Sequence, residues 1–165
     1  MKILVFTEGT LFTHQNWLAL SREETVRRVR EGERPAYAGT VPIGNAAQKL
    51  QAWKREGAQI MYLTSRREPA DVEKVRLVLG QYGFPPGEVF FRQAGEEYEN
   101  VAERLAPDMI VEDDCESIGG EVEMTFPHIR GDLKAKIKSI VVREFGGVDH
   151  LPDRISDLVN FASLP

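Results

Sequence analysis

Ile3-Leu4-Val5-Phe6-Thr7-Glu8-Gly9-Thr10-Leu11-Phe12 is the stretch whose reading decides the fold. An apolar run stops abruptly at a small, polar, glycine-containing turn. Continuous apolar character, rather than strict alternation, marks a parallel strand buried on both faces. In open α/β folds, ligands bind at the carboxyl ends of such strands. Thr7-Glu8-Gly9-Thr10 is therefore placed at a sheet edge where chemistry is expected.

Working outward, the same kind of run recurs. Ile60-Met61-Tyr62-Leu63 forms a second strand ending in Thr64-Ser65-Arg66, and Val89-Phe90-Phe91 a third. Met109-Ile110-Val111 runs as a fourth into Glu112-Asp113-Asp114, and Ser139-Ile140-Val141-Val142 is a fifth. Helical patterns separate them. Asn45 to Lys54 buries Ala46, Leu50 and Trp53 and stops before Gly57. Pro69 suits the first turn of a helix with the apolar stripe Val72, Val75, Leu79 and Tyr82. Tyr98, Val101, Ala102 and Leu105 fall at amphipathic spacing before Pro107, and Asp153 caps a last helix that buries Ile155, Leu158, Val159 and Ala162. Strands alternating with helices predict βαβ units and a parallel sheet.

Residues 11 to 42 are too long for a simple strand-to-helix connection. Within them Ser21-Arg22-Glu23-Glu24 has the form of a capping box that starts a helix through about Arg30. Glu33 to Pro42, with two prolines and one glycine, reads as a loop. The whole segment is expected to be a small insertion covering the sheet edge within a single domain of residues 1 to 165.

Composition narrows the function classes. Apolar content of 42% and charged content of 28% are ordinary for a globular protein. A net charge of −5 without a basic stripe argues against nucleic-acid binding, and Arg27, Arg28 and Arg30 sit among glutamates as a solvated helix face. No apolar segment approaches the roughly 20 residues of a membrane span. Met1-Lys2-Ile3 leads straight into a strand, so no signal peptide is read and a cytoplasmic location is expected. Cys115 is the only cysteine, which excludes an internal disulfide and a cysteine-based zinc cluster.

Three strand ends carry polar groups that converge if the strands are neighbours. The hydroxyls and backbone N–H groups of Thr64-Ser65-Arg66 suit a phosphate. The acids Glu112-Asp113-Asp114 suit a hard divalent cation such as Mg²⁺. Acid, hydroxyl and metal around one phosphoryl group form a phosphoryl-transfer arrangement.

At this point the chain resembles the haloacid dehalogenase superfamily, whose members are mostly Mg²⁺-dependent phosphatases. Phe6-Thr7-Glu8-Gly9-Thr10-Leu11 lines up with that family's first motif, Asp-x-Asp-Gly-Thr-Leu. Leu63-Thr64-Ser65 resembles the second, and Ile110-Val111-Glu112-Asp113-Asp114 the fourth. The resemblance implies a Rossmann-like three-layer sandwich around a five-stranded parallel sheet of order 5-4-1-2-3, with a cap inserted after the first motif. The departures matter equally. Phe6 stands where the family has its nucleophilic aspartate, and Glu8 where it has its acid/base aspartate. The third-motif lysine position lands near Tyr98, and the only basic residue on that helix is Arg104.

The resemblance therefore implies a phosphatase scaffold unable to form an aspartyl-phosphate. Glu8 is the candidate acid/base; Thr7, Gly9, Thr10, Thr64, Ser65 and Arg66 are candidate ligand contacts. Asp113, Asp114 and the Glu8 main-chain carbonyl are candidate Mg²⁺ ligands, with weak binding expected because the Phe6 position supplies none. Each has a plainer reading: Glu8 as a turn carboxylate, Asp113 and Asp114 as turn caps, Thr64 as a backbone partner, Arg66 as a surface arginine. His14, His128 and His150 show no ligand spacing and read as surface or turn histidines, and acidic neighbours disfavour a Cys115 thiolate. Three functions remain open: binding of a phosphorylated small molecule, Mg²⁺-dependent phosphoester hydrolysis by directly activated water, and a partner-binding module using residues 11 to 42. A response-regulator receiver is a further fold alternative, which would need its acidic pair after the first strand.

Overall fold

The computed structural model describes residues 1–162. The first strand, β1 (Lys2–Phe6), lies at the centre of a five-stranded parallel sheet. The chain then forms β2 (Phe12–His14), α1 (Arg22–Arg30) and β3 (Thr40–Pro42) before entering α2 (Ala46–Arg55). β4 (Gln59–Leu63), α3 (Pro69–Gln81) and β5 (Val89–Phe90) follow on one side of β1. α4 (Tyr98–Leu105), β6 (Met109–Asp113), a short α5 (Gly131–Lys134), β7 (Lys138–Val142) and α6 (Ile155–Asn160) complete the chain.

The sheet order is β5-β4-β1-β6-β7, with Ile3 opposite Ile60 on one side and Met109 on the other. These labels differ from the expected 5-4-1-2-3 because β2 and β3 leave the main sheet and pair antiparallel with each other. Counted over the five sheet strands alone, the order is 3-2-1-4-5. That hairpin lies at the two ends of the segment 11–42 read from sequence as an insertion.

Alternation along β1 divides the core into two layers. Ile3 and Val5 join Leu50 and Trp53 of α2, Val72 and Val75 of α3 and Leu158 of α6 in one buried cluster. Leu4 joins Met61, Leu63, Val101, Ala102 and Ile110 in the other, with Phe6 and Tyr98 packed against it. Helices thus cover both faces, as a parallel sheet requires. The predicted last helix ends at Asn160; Val159 is 39% exposed and Ala162 lies beyond the helix and exposed, so neither belongs to the core.

Some local signals act where the sequence placed them, but Asp153 does not cap the last helix: Arg154 is the N-cap of α6, and Asp153 accepts from Lys49 at 2.5 Å instead. The Ser21 hydroxyl accepts from Glu24 N–H at 3.1 Å and starts α1. Pro69 occupies the first turn of α3. His14 is buried rather than on the surface, and its Nδ1 accepts from Asn16 N–H at 3.2 Å. The glycine-rich run at 146–152 packs against the start and the buried face of α2. Asp149 accepts from Asn45 N–H at 2.9 Å, and the Pro152 carbonyl accepts from the Trp53 indole at 2.9 Å, so this run fastens α2. No helix among the described residues is long and apolar enough to cross a membrane.

Candidate functional site

Because β4, β1 and β6 are adjacent and parallel, their carboxyl ends bring Thr64-Ser65-Arg66, Thr7-Glu8-Gly9-Thr10 and Asp113-Asp114 to one edge. A cavity of about 420 Å³ opens there. Its floor includes Phe6, Glu8, Gly9 and Asp113, and residues of the 11–42 segment, including Trp17, Arg34 and Tyr37, wall it.

Phe6 closes β1 half-buried and meets Tyr98 edge-on, ring centroids 5.1 Å apart. Arg92 lies over the Tyr98 ring at 3.8 Å. Burial, foremost, pushes the Tyr98 hydroxyl up to about 12. An aromatic pair thus closes this end of β1. Arg104, the only basic residue on α4, points its charge elsewhere and pairs with Glu96 at 3.2 Å.

Glu8 is gripped by the neighbouring strand end. Its carboxylate accepts from the Thr64 hydroxyl at 2.8 and 3.0 Å, from Ser65 N–H at 3.0 Å and from the Thr7 hydroxyl at 2.7 Å. Arg66 Nε stands 3.8 Å away. Tyr37, from the loop before β3, brings its hydroxyl near this group, and burial followed by the Glu8 charge raises its pKa well above the usual phenol range. The sequence reading missed Tyr37 because nothing distinguishes it within a proline- and glycine-containing loop.

The second constellation is acidic. Asp113, only 5% exposed, accepts from the Thr10 hydroxyl at 2.8 Å and from Cys115 N–H at 3.0 Å. Burial and then the Glu144 charge push its carboxyl up to about 7, against the pull of those two donors. Glu144 was not singled out from sequence, although it follows β7 at the same sheet edge. It too is buried, and accepts from Ser117 N–H and the Ser117 hydroxyl, each at 2.6 Å. Burial, foremost, raises its pKa. Asp114 accepts from Glu144 N–H at 3.0 Å and faces Arg22 at 3.6 Å.

Asp113, Asp114 and Glu144 offer oxygens within 4.8 Å of one another. Three hard oxygen donors, two of them on buried carboxylates with raised pKa, fit a divalent cation of the Mg²⁺ class. Glu112 is not part of this group. Buried at the other face, it accepts from Thr125 N–H at 2.7 Å and Phe126 N–H at 2.9 Å and so holds a turn. Cys115 has its thiol pushed up by burial first and by Asp113 next, which leaves it a poor nucleophile.

No family model and no curated protein matches the sequence. Solved structures do match. The class C acid phosphatase of Bacillus anthracis superposes with a TM-score of 0.57 at 14% identity, over 99% of this chain and 80% of that one. Its tungstate-bound form gives 0.57 and 14%, over 88% and 68%. A chain of the Pnkp1/Rnl/Hen1 complex gives 0.51 and 13%, over 87% and 46%. At such identities the likeness is one of fold alone, an α/β architecture with a central parallel sheet shared with these phosphatase structures.

Proposed function

We propose that this chain uses a phosphatase fold to bind a phosphorylated small molecule in the crevice above β1, β4 and β6, without aspartyl-phosphate chemistry. The observation that carries the reading is Phe6. The side chain at the end of the central strand is a phenyl ring packed edge-on against Tyr98, with no oxygen to attack phosphorus. Around it the ligand-holding groups persist: Thr7, Gly9 and Thr10 on the first turn, Thr64, Ser65 and Arg66 on the second, and the acidic group opposite. The segment 11–42 serves as a small cap over this crevice.

Asp113, Asp114 and Glu144 would hold a divalent cation, with the Glu8 main-chain carbonyl as a further oxygen. Such an ion supplies charge neutralisation for a bound phosphate. Within this chain, Thr10 and the Cys115 N–H orient Asp113, while Ser117 orients Glu144.

One observation favours a second reading, hydrolysis by directly activated water. The Asp113 carboxyl, at about 7, lies where a general base works best near neutral pH, and Glu8 supplies another carboxylate beside the cavity. Phosphate release from a panel of nucleotides and sugar phosphates, with Mg²⁺ and an Asp113→Asn control, separates the two. The binding reading expects no release beyond the control. Release that the control abolishes would establish hydrolysis instead.

A further inference from the structure

The donors at the end of β4 have a tenant. Thr64 hydroxyl, Ser65 N–H and Thr7 hydroxyl all point at the Glu8 carboxylate, and Arg66 stands beside it. Hydroxyl, backbone N–H and guanidinium converging on one point are the groups that receive an oxyanion. Here the chain supplies the anion itself.

Glu8 does not use the whole set. The Arg66 Nε and the Tyr37 hydroxyl are buried atoms that Glu8 serves only poorly: its charge acts on both, but neither makes a hydrogen bond of good geometry to it. They are neighbours, because the Arg66 guanidinium lies 4.6 Å over the Tyr37 ring, and both residues line the same cavity as Glu8. A buried donor without a well-placed acceptor is costly, so the cluster is short of acceptor sites. Oε2 of Glu8 takes Thr7, Thr64 and Ser65 while Oε1 accepts from Thr64 alone, and the roughly four lone-pair sites of a carboxylate are too few for those three donors together with Arg66 and Tyr37. A phosphate group brings at least three oxygens, enough for those donors and for the other two.

We propose that Thr64, the Ser65 N–H, Arg66 and Tyr37 form an oxyanion subsite whose built-in occupant is the Glu8 carboxylate, which a ligand's phosphate group displaces. The inference rests on the phospho-ligand reading and deepens it. Glu8 acts as an internal competitor: it keeps the donors satisfied when no ligand is present and weakens every anion by the work of its own removal. Tyr37, from the segment between β2 and β3, gives that segment a direct role in sensing the anion.

The test uses the full chain and inorganic phosphate as the probe, followed by the Ser65 and Arg66 amide resonances. Glu8→Gln and Glu8→Ala are expected to bind phosphate at least about tenfold more tightly than the wild type, each tenfold being about 1.4 kcal/mol. Adding Tyr37→Phe to Glu8→Ala is expected to remove part of the gain. In the wild type, saturating phosphate is expected to shift the Glu8 carboxyl carbon resonance as that group leaves its donors. Phosphate affinity unchanged or weaker in both folded Glu8 variants would overturn the proposal, as would wild-type phosphate binding at Ser65 with the Glu8 carboxyl unmoved. The two readings fail differently. Organic phosphates that bind the wild type with no gain in the Glu8 variants sink the subsite and keep the function. Inorganic phosphate gained by Glu8→Ala, with no organic phosphate bound by any form, sinks the function and keeps the subsite.

Discussion

Asp113 holds a proton more tightly in the folded protein than in the unfolded chain, because burial and the Glu144 charge disfavour its anion. Its ordinary value is 3.8 and its folded value about 7. Between these, the native state keeps a proton that the unfolded state has lost, so this group removes stability as pH rises through that window. Asp113→Asn cannot ionise and escapes the loss. Measured by urea unfolding, the variant should therefore gain on the wild type from about pH 4 to about pH 7, by on the order of 1 kcal/mol per pH unit at the steepest. A difference that stays flat across the window would contradict the burial argument. Gly9 is the second sensitive position. Its φ is +79°, and a Cβ there would sit 2.8 Å from Asp113 Oδ2. Gly9→Ala should cost about 1–3 kcal/mol through strain and crowding, with the loss visible in thermal unfolding. An unchanged melting temperature would show that the turn can relax away from the acidic group.

At the scale of elements, α1 is held to the sheet edge by its own first residue. Arg22 Nε donates to the Glu144 carbonyl at 2.8 Å, its Nη2 donates to the Glu116 carboxylate at 2.5 Å, and the Asp114 carboxylate lies 3.6 Å from Nη2. One side chain thus joins the 11–42 segment to the loops after β6 and β7. Arg22→Met keeps much of the apolar stem and loses the charged hydrogen bonds, which should cost about 2 kcal/mol. The effect should be local. Amide exchange is expected to quicken along α1 and around Ser117 while β1 and β4 stay protected; uniform acceleration would mean that the tie is not specific to α1. How well each element could be read depended on the same distinction between local and distant partners. β1, β4, β6 and β7 announce themselves because doubly buried strands are continuous apolar runs. The hairpin of β2 and β3 escaped notice because each strand has only three residues and its partner lies far along the chain. Val159 was misplaced because it lies within α6 but on its exposed side, and Ala162 because the helix ends before it, so the periodic spacing overstated the buried stripe.

For the molecule as a whole, the site was legible as strand ends but not as pairings. Placing Glu8, Thr64 and Asp113 at one edge needed only a parallel sheet with β1 between β4 and β6. Glu144 was not legible because it stands as a single acid between Arg143 and Phe145 just past β7, and Tyr37 because its role depends on how a loop folds back. That Glu8 would occupy the donors of β4 is invisible in sequence, since those donors accept any anion within reach. The acidic group makes a further global prediction. Mg²⁺ should raise the melting temperature at about pH 8 and much less at about pH 5, because a cation binds only the ionised carboxylates and stabilises the state that holds it. Chelation should reverse the rise, and a shift of equal size at both pH values would point to a site elsewhere.

The most direct test of the central claim is a titration of the full chain with phosphorylated nucleotides and sugars, following the amides of Glu8, Ser65 and Arg66 and the free phosphate in the same sample. Saturable shifts at those three positions are expected, with no phosphate set free. Steady release of phosphate that Asp113→Asn abolishes, or saturating shifts confined to residues outside the crevice, would contradict it.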